Sequence, residues 1–170
     1  LPENNTAIIE NRTALEKIDQ KYLGKTKLVI CHPPYFNLYK YSTINSLELA
    51  WMSEDLKSIR GNEVKEFFKV GKPENINRYI DDMSKVLLNI RSYLSDDGVI
   101  GFMNGDTLMQ GQYIPVNKML LDKLKDFFTI KKIALRIPKY TEASWAASQR
   151  RKKDKLGVNL CDFVYILAKK

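Results

Sequence analysis

The residues best equipped for chemistry lie in CHPPYFNLYKYS, residues 31–42 of a 170-residue chain. His32 is the only histidine in the sequence and stands directly before Pro33 and Pro34, with Tyr35, Phe36, Tyr39 and Tyr41 close behind. Two prolines fix two φ angles and cannot donate to a strand ladder, so they end the apolar run KLVIC, 27–31. A tyrosine on so stiff a support offers a flat face to a planar heterocycle, and stacking a base is worth about 1–3 kcal/mol. Carbonyl oxygens of the same turn can accept hydrogen bonds from an exocyclic amine. Residue chemistry alone favours the plainer reading, a strand-terminating turn with a packed tyrosine.

The elements that must carry this turn follow from hydrophobic periodicity. A short apolar strand is expected at TAIIE, 6–10, and a short helix at ALEKIDQKYL, 14–23, stopped by Gly24. KLVIC, continuously apolar and rich in β-branched residues, reads as a strand buried on both faces. TINSLELAWMSEDLK can form an amphipathic helix, and a basic excursion near 53–75 leaves the core. The clearest helix is 76–94, where Ile80, Met83, Val86, Leu87, Ile90 and Leu94 recur at three- and four-residue spacing. SDDG, 95–98, is a turn and VIGFMNG, 99–105, a strand; a helix over 116–128 and strands at 130–137 and 162–169 complete the series. A basic loop near 138–160 is unusually long for a compact domain. Alternating strands and helices predict an α/β layer structure with a mostly parallel sheet and an antiparallel terminal strand pair. Open sheets of this kind bind ligands beyond the carboxyl ends of their strands, which is where the Pro-Pro-Tyr turn falls.

Composition sets the outer limits. The length suits one domain with a real core. A formal charge of +8 favours a polyanionic partner. Cys31 and Cys161 sit in separate apolar runs and read as buried free thiols, which suits a reducing compartment and a cytoplasmic location. One histidine and no Cys-x-x-Cys pair argue against a zinc site. No apolar run approaches the roughly 20 residues that cross a membrane, and no signal-peptide pattern is present. The opening LPENN, without methionine, leaves room for a processed or excised piece of something longer.

VICHPPYFN resembles motif IV of the amino-methyltransferases, whose signature is Asp, Asn or Ser, then Pro-Pro, then Tyr, Phe or Trp. PPYFNLYKYSTINSLELAWM, 33–52, is similar to a longer arrangement in a subgroup of DNA modification methylases. LSDDGVIGFMNGDTL, 94–108, Gln110 to Val116 and the closing ASQRR…GVNLCDFVYILAKK continue the likeness in family order. IIENRTALEKI, 8–18, resembles the strand and loop that line the cofactor pocket. The resemblance covers most of the chain.

The resemblance implies a Rossmann-like methyltransferase sheet and methyl transfer from S-adenosyl-L-methionine to the exocyclic amine of adenine or cytosine in double-stranded DNA. The target base is expected to leave the duplex. Tyr35 would stack on it, His32 and the Pro33 carbonyl would accept hydrogen bonds from its amine, and Pro34 would stiffen the turn. Transfer would then need positioning and dipoles, with no covalent enzyme intermediate. Glu10, Asn11, Arg12 and Cys31 are the implied cofactor contacts. Tyr39, Arg150, Arg151, Lys152 and Lys153 are the implied nucleic-acid contacts, the last four neutralising phosphate charge; an ordinary solvated lysine-rich loop is the alternative.

Two departures qualify the match. Histidine is outside the family's usual set; a neutral imidazole can accept one hydrogen bond, whereas a protonated one cannot. An active acceptor, an inactive site and a structural histidine are therefore all open. The glycine-rich cofactor loop and the acidic residue after the following strand are absent. The chain thus reads, over 1–170, as the carboxyl-terminal part of a catalytic domain without its first strands. A complementary fragment or subunit would supply them. An RNA base methyltransferase and a non-catalytic nucleic-acid-binding or assembly subunit are the competing functions.

Overall fold

A computed structural model describes residues 7, 9, 12–17, 19–36, 45–62, 74–109, 112–136 and 158–170. Five strands form one sheet: β1 (Thr26–Cys31), β2 (Leu94–Met109), β3 (Gln112–Ile114), β4 (Phe128–Arg136) and β5 (Val158–Lys169). Their order is β1-β2-β5-β4, with β3 added to β2. The helices are α1 (Ser46–Trp51), α2 (Leu56–Asn62), α3 (Glu74–Tyr93) and α4 (Val116–Leu124).

The α/β class and the antiparallel β4–β5 pair match expectation. The sheet is mixed, however: among the described strands only β1–β2 is parallel, while β2–β3, β2–β5 and β4–β5 are antiparallel. The long β5 inserts between β2 and β4, so the carboxyl-terminal strand supplies two antiparallel ladders where one was expected.

The core lies on one face of the sheet. Ile100 and Phe102 of β2, with Tyr165 and Leu167 of β5, meet Ile76, Tyr79, Ile80, Met83 and Leu87 of α3 and Val116, Leu120 and Leu124 of α4. Each fully buried side chain of this size stabilises the fold by about 1.5–3 kcal/mol. The α3 stripe agrees with the periodicity read from the sequence. Gly98 lies where β2 passes β1; a Cβ there would come within 2.6 Å of the Thr26 carbonyl oxygen, so this contact requires glycine.

Four local expectations are corrected. SDDG, 95–98, expected as a turn before the strand, lies within β2 as an irregularity in its pairing with β1. KLVIC is a strand, but it is buried on one face only. Val29 and Cys31 pack on the core, whereas Leu28 is 59% and Ile30 82% exposed. Side chains alternate along a strand, and no described element covers the second face at these positions. The helix expected over 14–23 is replaced by turns and one 3-10 turn, Gln20–Tyr22, which Asp19 caps by accepting from the Lys21 N–H. So short a segment is marginal as a helix without a buried apolar stripe; Gly24 does supply the stop, at φ 67°. The helix expected through TINSLELAWMSEDLK breaks at Ser53, φ 58°, and restarts where Asp55 accepts from the Lys57 N–H. The strand expected at 6–10 and the basic loop up to residue 157 lie outside the described residues, apart from residues 7 and 9, which are not in a strand.

Candidate active site

β1 delivers the chain to the carboxyl end of the sheet, where Cys31 pairs with Phe102 and the prolines end the ladder. Beyond them the chain is anchored by side chains sunk into the core. Phe36 is fully buried, its ring 5.4 Å from that of Tyr79 on α3. The Tyr79 hydroxyl donates to the Pro34 carbonyl at 2.8 Å. Asn104 lies beside this bond: its Oδ1 accepts from the Gly105 N–H at 2.9 Å and is 3.4 Å from the Tyr79 hydroxyl. The Gly105 bond sets the amide orientation and leaves the buried Nδ2 without a partner among the described residues.

Tyr35 is 8% exposed. Its hydroxyl donates to Oδ1 of Asp162 at 2.9 Å, and Oδ2 of Asp162 lies 3.5 Å from the Arg136 guanidinium. Burial pushes the Tyr35 hydroxyl above its ordinary pKa of 10.0, the Asp162 hydrogen bond and charge push it further, and Arg136 partly opposes them. His32 is exposed and stands edge-on to Tyr35, with centroids 5.3 Å apart and planes at 75°. The tyrosine is therefore not an open platform: the imidazole packs against it and its hydroxyl is tied down. Of the four elbow residues, Pro34 and Tyr35 are held by hydrogen bonds to the core elements, while no described hydrogen bond engages the Pro33 carbonyl.

Cys31 borders this elbow and is partly buried against the core. Burial pushes its thiol from 9.0 up to about 11, so it stays neutral at physiological pH. Arg12 is elsewhere. Its guanidinium donates to the Lys17 carbonyl, closing a local turn that Asn89 of α3 holds by donating to the Leu15 carbonyl at 2.9 Å. Asn89 lies ten residues beyond Tyr79, about 15 Å along the helix, so the structure does not bring Arg12 to the elbow. Glu10, Asn11, Tyr39, Arg150, Arg151, Lys152 and Lys153 lie outside the described residues.

The anchors Tyr79, Asn104 and Asp162 were missed in the sequence, although Asp162 left a trace. An aspartate inside VNLCDFVYIL must pair if that strand is buried. Asp106, in the Gly-Asp that follows the β2 apolar run, is structural. It accepts from the Asn117 N–H at 2.8 Å, from the Asn117 side-chain amide at 2.9 Å and from the Tyr113 hydroxyl, and so caps α4. No group of three or more potential metal ligands occurs among the described residues.

The proline-stiffened tyrosine lies at the carboxyl end of a parallel strand, where the resemblance to the amino-methyltransferases implies it. Residues 26–162 match the DNA methylase family, and the chain belongs to it. Its fold is similar to that of PvuII DNA methyltransferase, a cytosine-N4-specific enzyme, at 16% identity and TM-score 0.54 over 87% of this chain and 44% of that one. A Thermus thermophilus protein assigned as a DNA modification methylase, solved with S-adenosyl-L-methionine, matches at 12% identity and TM-score 0.49, over 86% of this chain and 46% of that one. The chain spans less than half the length of these solved structures. No curated protein matches it significantly.

Proposed function

We propose that the chain forms the base-holding part of an enzyme that methylates the exocyclic amine of adenine or cytosine in double-stranded DNA, with S-adenosyl-L-methionine as donor. The observation that carries this is the anchored elbow. Tyr79 occupies the Pro34 carbonyl and Asp162 the Tyr35 hydroxyl, while the preceding Pro33 carbonyl and the exposed His32 imidazole remain to meet a base amine. Swinging His32 off the Tyr35 ring would open a slot for a flipped base between the two. A neutral imidazole and a carbonyl would each accept one amine hydrogen, turning the nitrogen lone pair toward the donor.

The described residues do not form a complete cofactor cradle. Cys31 offers a neutral wall, Arg12 is committed to its own turn, and the buried carboxylates Asp106 and Asp162 are engaged by Asn117, Tyr113, Tyr35 and Arg136. The cradle would come from a complementary fragment or subunit. Its seat is β1, whose outer edge has no strand neighbour in the described sheet and whose second face exposes Leu28 and Ile30. S-adenosyl-L-methionine supplies the methyl group; this chain orients the acceptor. Basic residues 150–153 would contact the DNA backbone.

A cytoplasmic location accords with Cys31 as a free thiol and with the lack of any helix, among the described residues, long and apolar enough to cross a membrane. The burial of Tyr35 supports one second reading, a non-catalytic nucleic-acid-binding or assembly subunit. Equilibrium dialysis of labelled S-adenosyl-L-methionine against the isolated chain tests the division of labour: weak binding alone and tight binding after adding the complementary part are expected. Micromolar affinity without any partner would contradict it.

A further inference from the structure

We propose that Asp162 is a positioning residue for the elbow, holding Tyr35 by its hydroxyl and tying it, through Arg136, to the root of the basic connection. The inference rests on Tyr35 being the ring that meets the base. Tyr35 and Asp162 are 127 residues apart in sequence, yet their side chains bond at 2.9 Å in a buried site. A buried carboxylate in an apolar strand is costly, and an apolar residue of similar size would often serve the fold as well. Here each carboxylate oxygen has its own partner, Tyr35 on one side and Arg136 on the other.

The placement of Arg136 gives the arrangement its use. Arg136 and Asp162 face each other across the β4–β5 ladder, in the last rung before residues 137–157. The Arg136 guanidinium is mostly exposed, whereas Asp162 is buried. A DNA phosphate approaching the root of the connection would therefore share Arg136 with Asp162. Any change in that pairing reaches the Tyr35 hydroxyl through a single carboxylate. Among the described residues, the groups around Tyr35 are Asp162 and Arg136 from the sheet, Tyr79 from α3 and His32 from the elbow itself.

Asp162→Asn keeps the shape and one acceptor oxygen but removes the charge; Tyr35→Phe keeps the ring and removes the donor. In the enzyme assembled from the full chain and its complementary part, each change should lower kcat by about tenfold to a hundredfold. KM for the methyl donor should hold, and the double variant should lose no more than either single one. Titration of the full chain labelled with 13C-tyrosine reads the contact without activity: the Tyr35 pKa should fall in Asp162→Asn. An active wild-type assembly whose kcat is unchanged by Asp162→Asn would overturn the proposal, as would a Tyr35 titration that the substitution does not move. A wild-type assembly that transfers no methyl group would instead overturn the functional proposal, and the titration would still decide whether Asp162 controls Tyr35.

Discussion

The hydroxyl of Tyr79 donates to the carbonyl of Pro34 at 2.8 Å, joining the first half of α3 to the elbow across 45 residues. Pro34 lends the turn stiffness in φ, and this bond, with the Tyr35–Asp162 bond and the buried Phe36, fixes where the stiff turn sits over the sheet. Tyr79→Phe should leave the helix intact and the Pro34 carbonyl unpaired. The expected cost is about 1–3 kcal/mol, read as a lower urea midpoint with an unchanged slope and faster proteolysis near residues 32–36. A midpoint equal to wild type would show that the bond does not hold the elbow.

Gly98 should tolerate no side chain. The Thr26 carbonyl oxygen that a Cβ would strike at 2.6 Å is backbone, so relief requires moving β1 against β2. Gly98→Ala is expected to destabilise the chain by about 1–3 kcal/mol and to disturb the β1 ladder that positions Cys31. Hydrogen exchange checks this: amides of Val29 to Cys31 should lose protection first.

Two acids make the fold sensitive to alkali. Burial raises the Cys31 thiol from 9.0 to about 11, and burial with Asp162 raises the Tyr35 hydroxyl above its ordinary 10.0. Both hold their protons longer folded than unfolded, so their contribution is complete below about pH 9 and is lost as pH rises through the folded pKa values. Urea midpoints should therefore fall between about pH 9 and pH 11, and less steeply in Tyr35→Phe. The neutral Cys31 thiol should also alkylate more slowly near neutrality than an exposed cysteine.

The open edge of β1 predicts a separation of stability from assembly. Ile30 is 82% exposed, so Ile30→Lys should change the stability of the isolated chain by no more than about 0.5 kcal/mol. The same change places a charge on the proposed seat and should weaken association with the complementary part at least tenfold. Titration calorimetry of the two parts measures this; equal affinities would move the seat elsewhere.

The sequence made the elbow visible because its signal is local: two prolines, an aromatic and the strand before them are contiguous. The α3 stripe was equally legible, since periodicity reports burial directly. What escaped was set by neighbours distant in sequence. The apolar run Leu28–Val29–Ile30 cannot say whether one face of its strand or both will be covered. The insertion of β5 between β2 and β4 leaves no mark on either strand. Asp162 was missed: its place in an apolar strand calls for a partner, but nothing near it in sequence names Tyr35. Leu15 and Leu23 suggested a helix whose buried side the fold never supplies. The histidine at position 32 was plain to see, but its edge contact with Tyr35 was not.

Methyl transfer itself tests the central claim most directly. The full chain and its complementary part, given labelled S-adenosyl-L-methionine and duplex DNA, should transfer label to an exocyclic amine. Tyr35→Ala should abolish transfer while DNA binding persists, and His32→Ser, which keeps an acceptor and clears the ring, should sustain it. Structured RNA at the same ionic strength should be a poor acceptor. No transfer by an assembly that binds both DNA and donor would contradict the account and leave this chain a nucleic-acid-binding subunit.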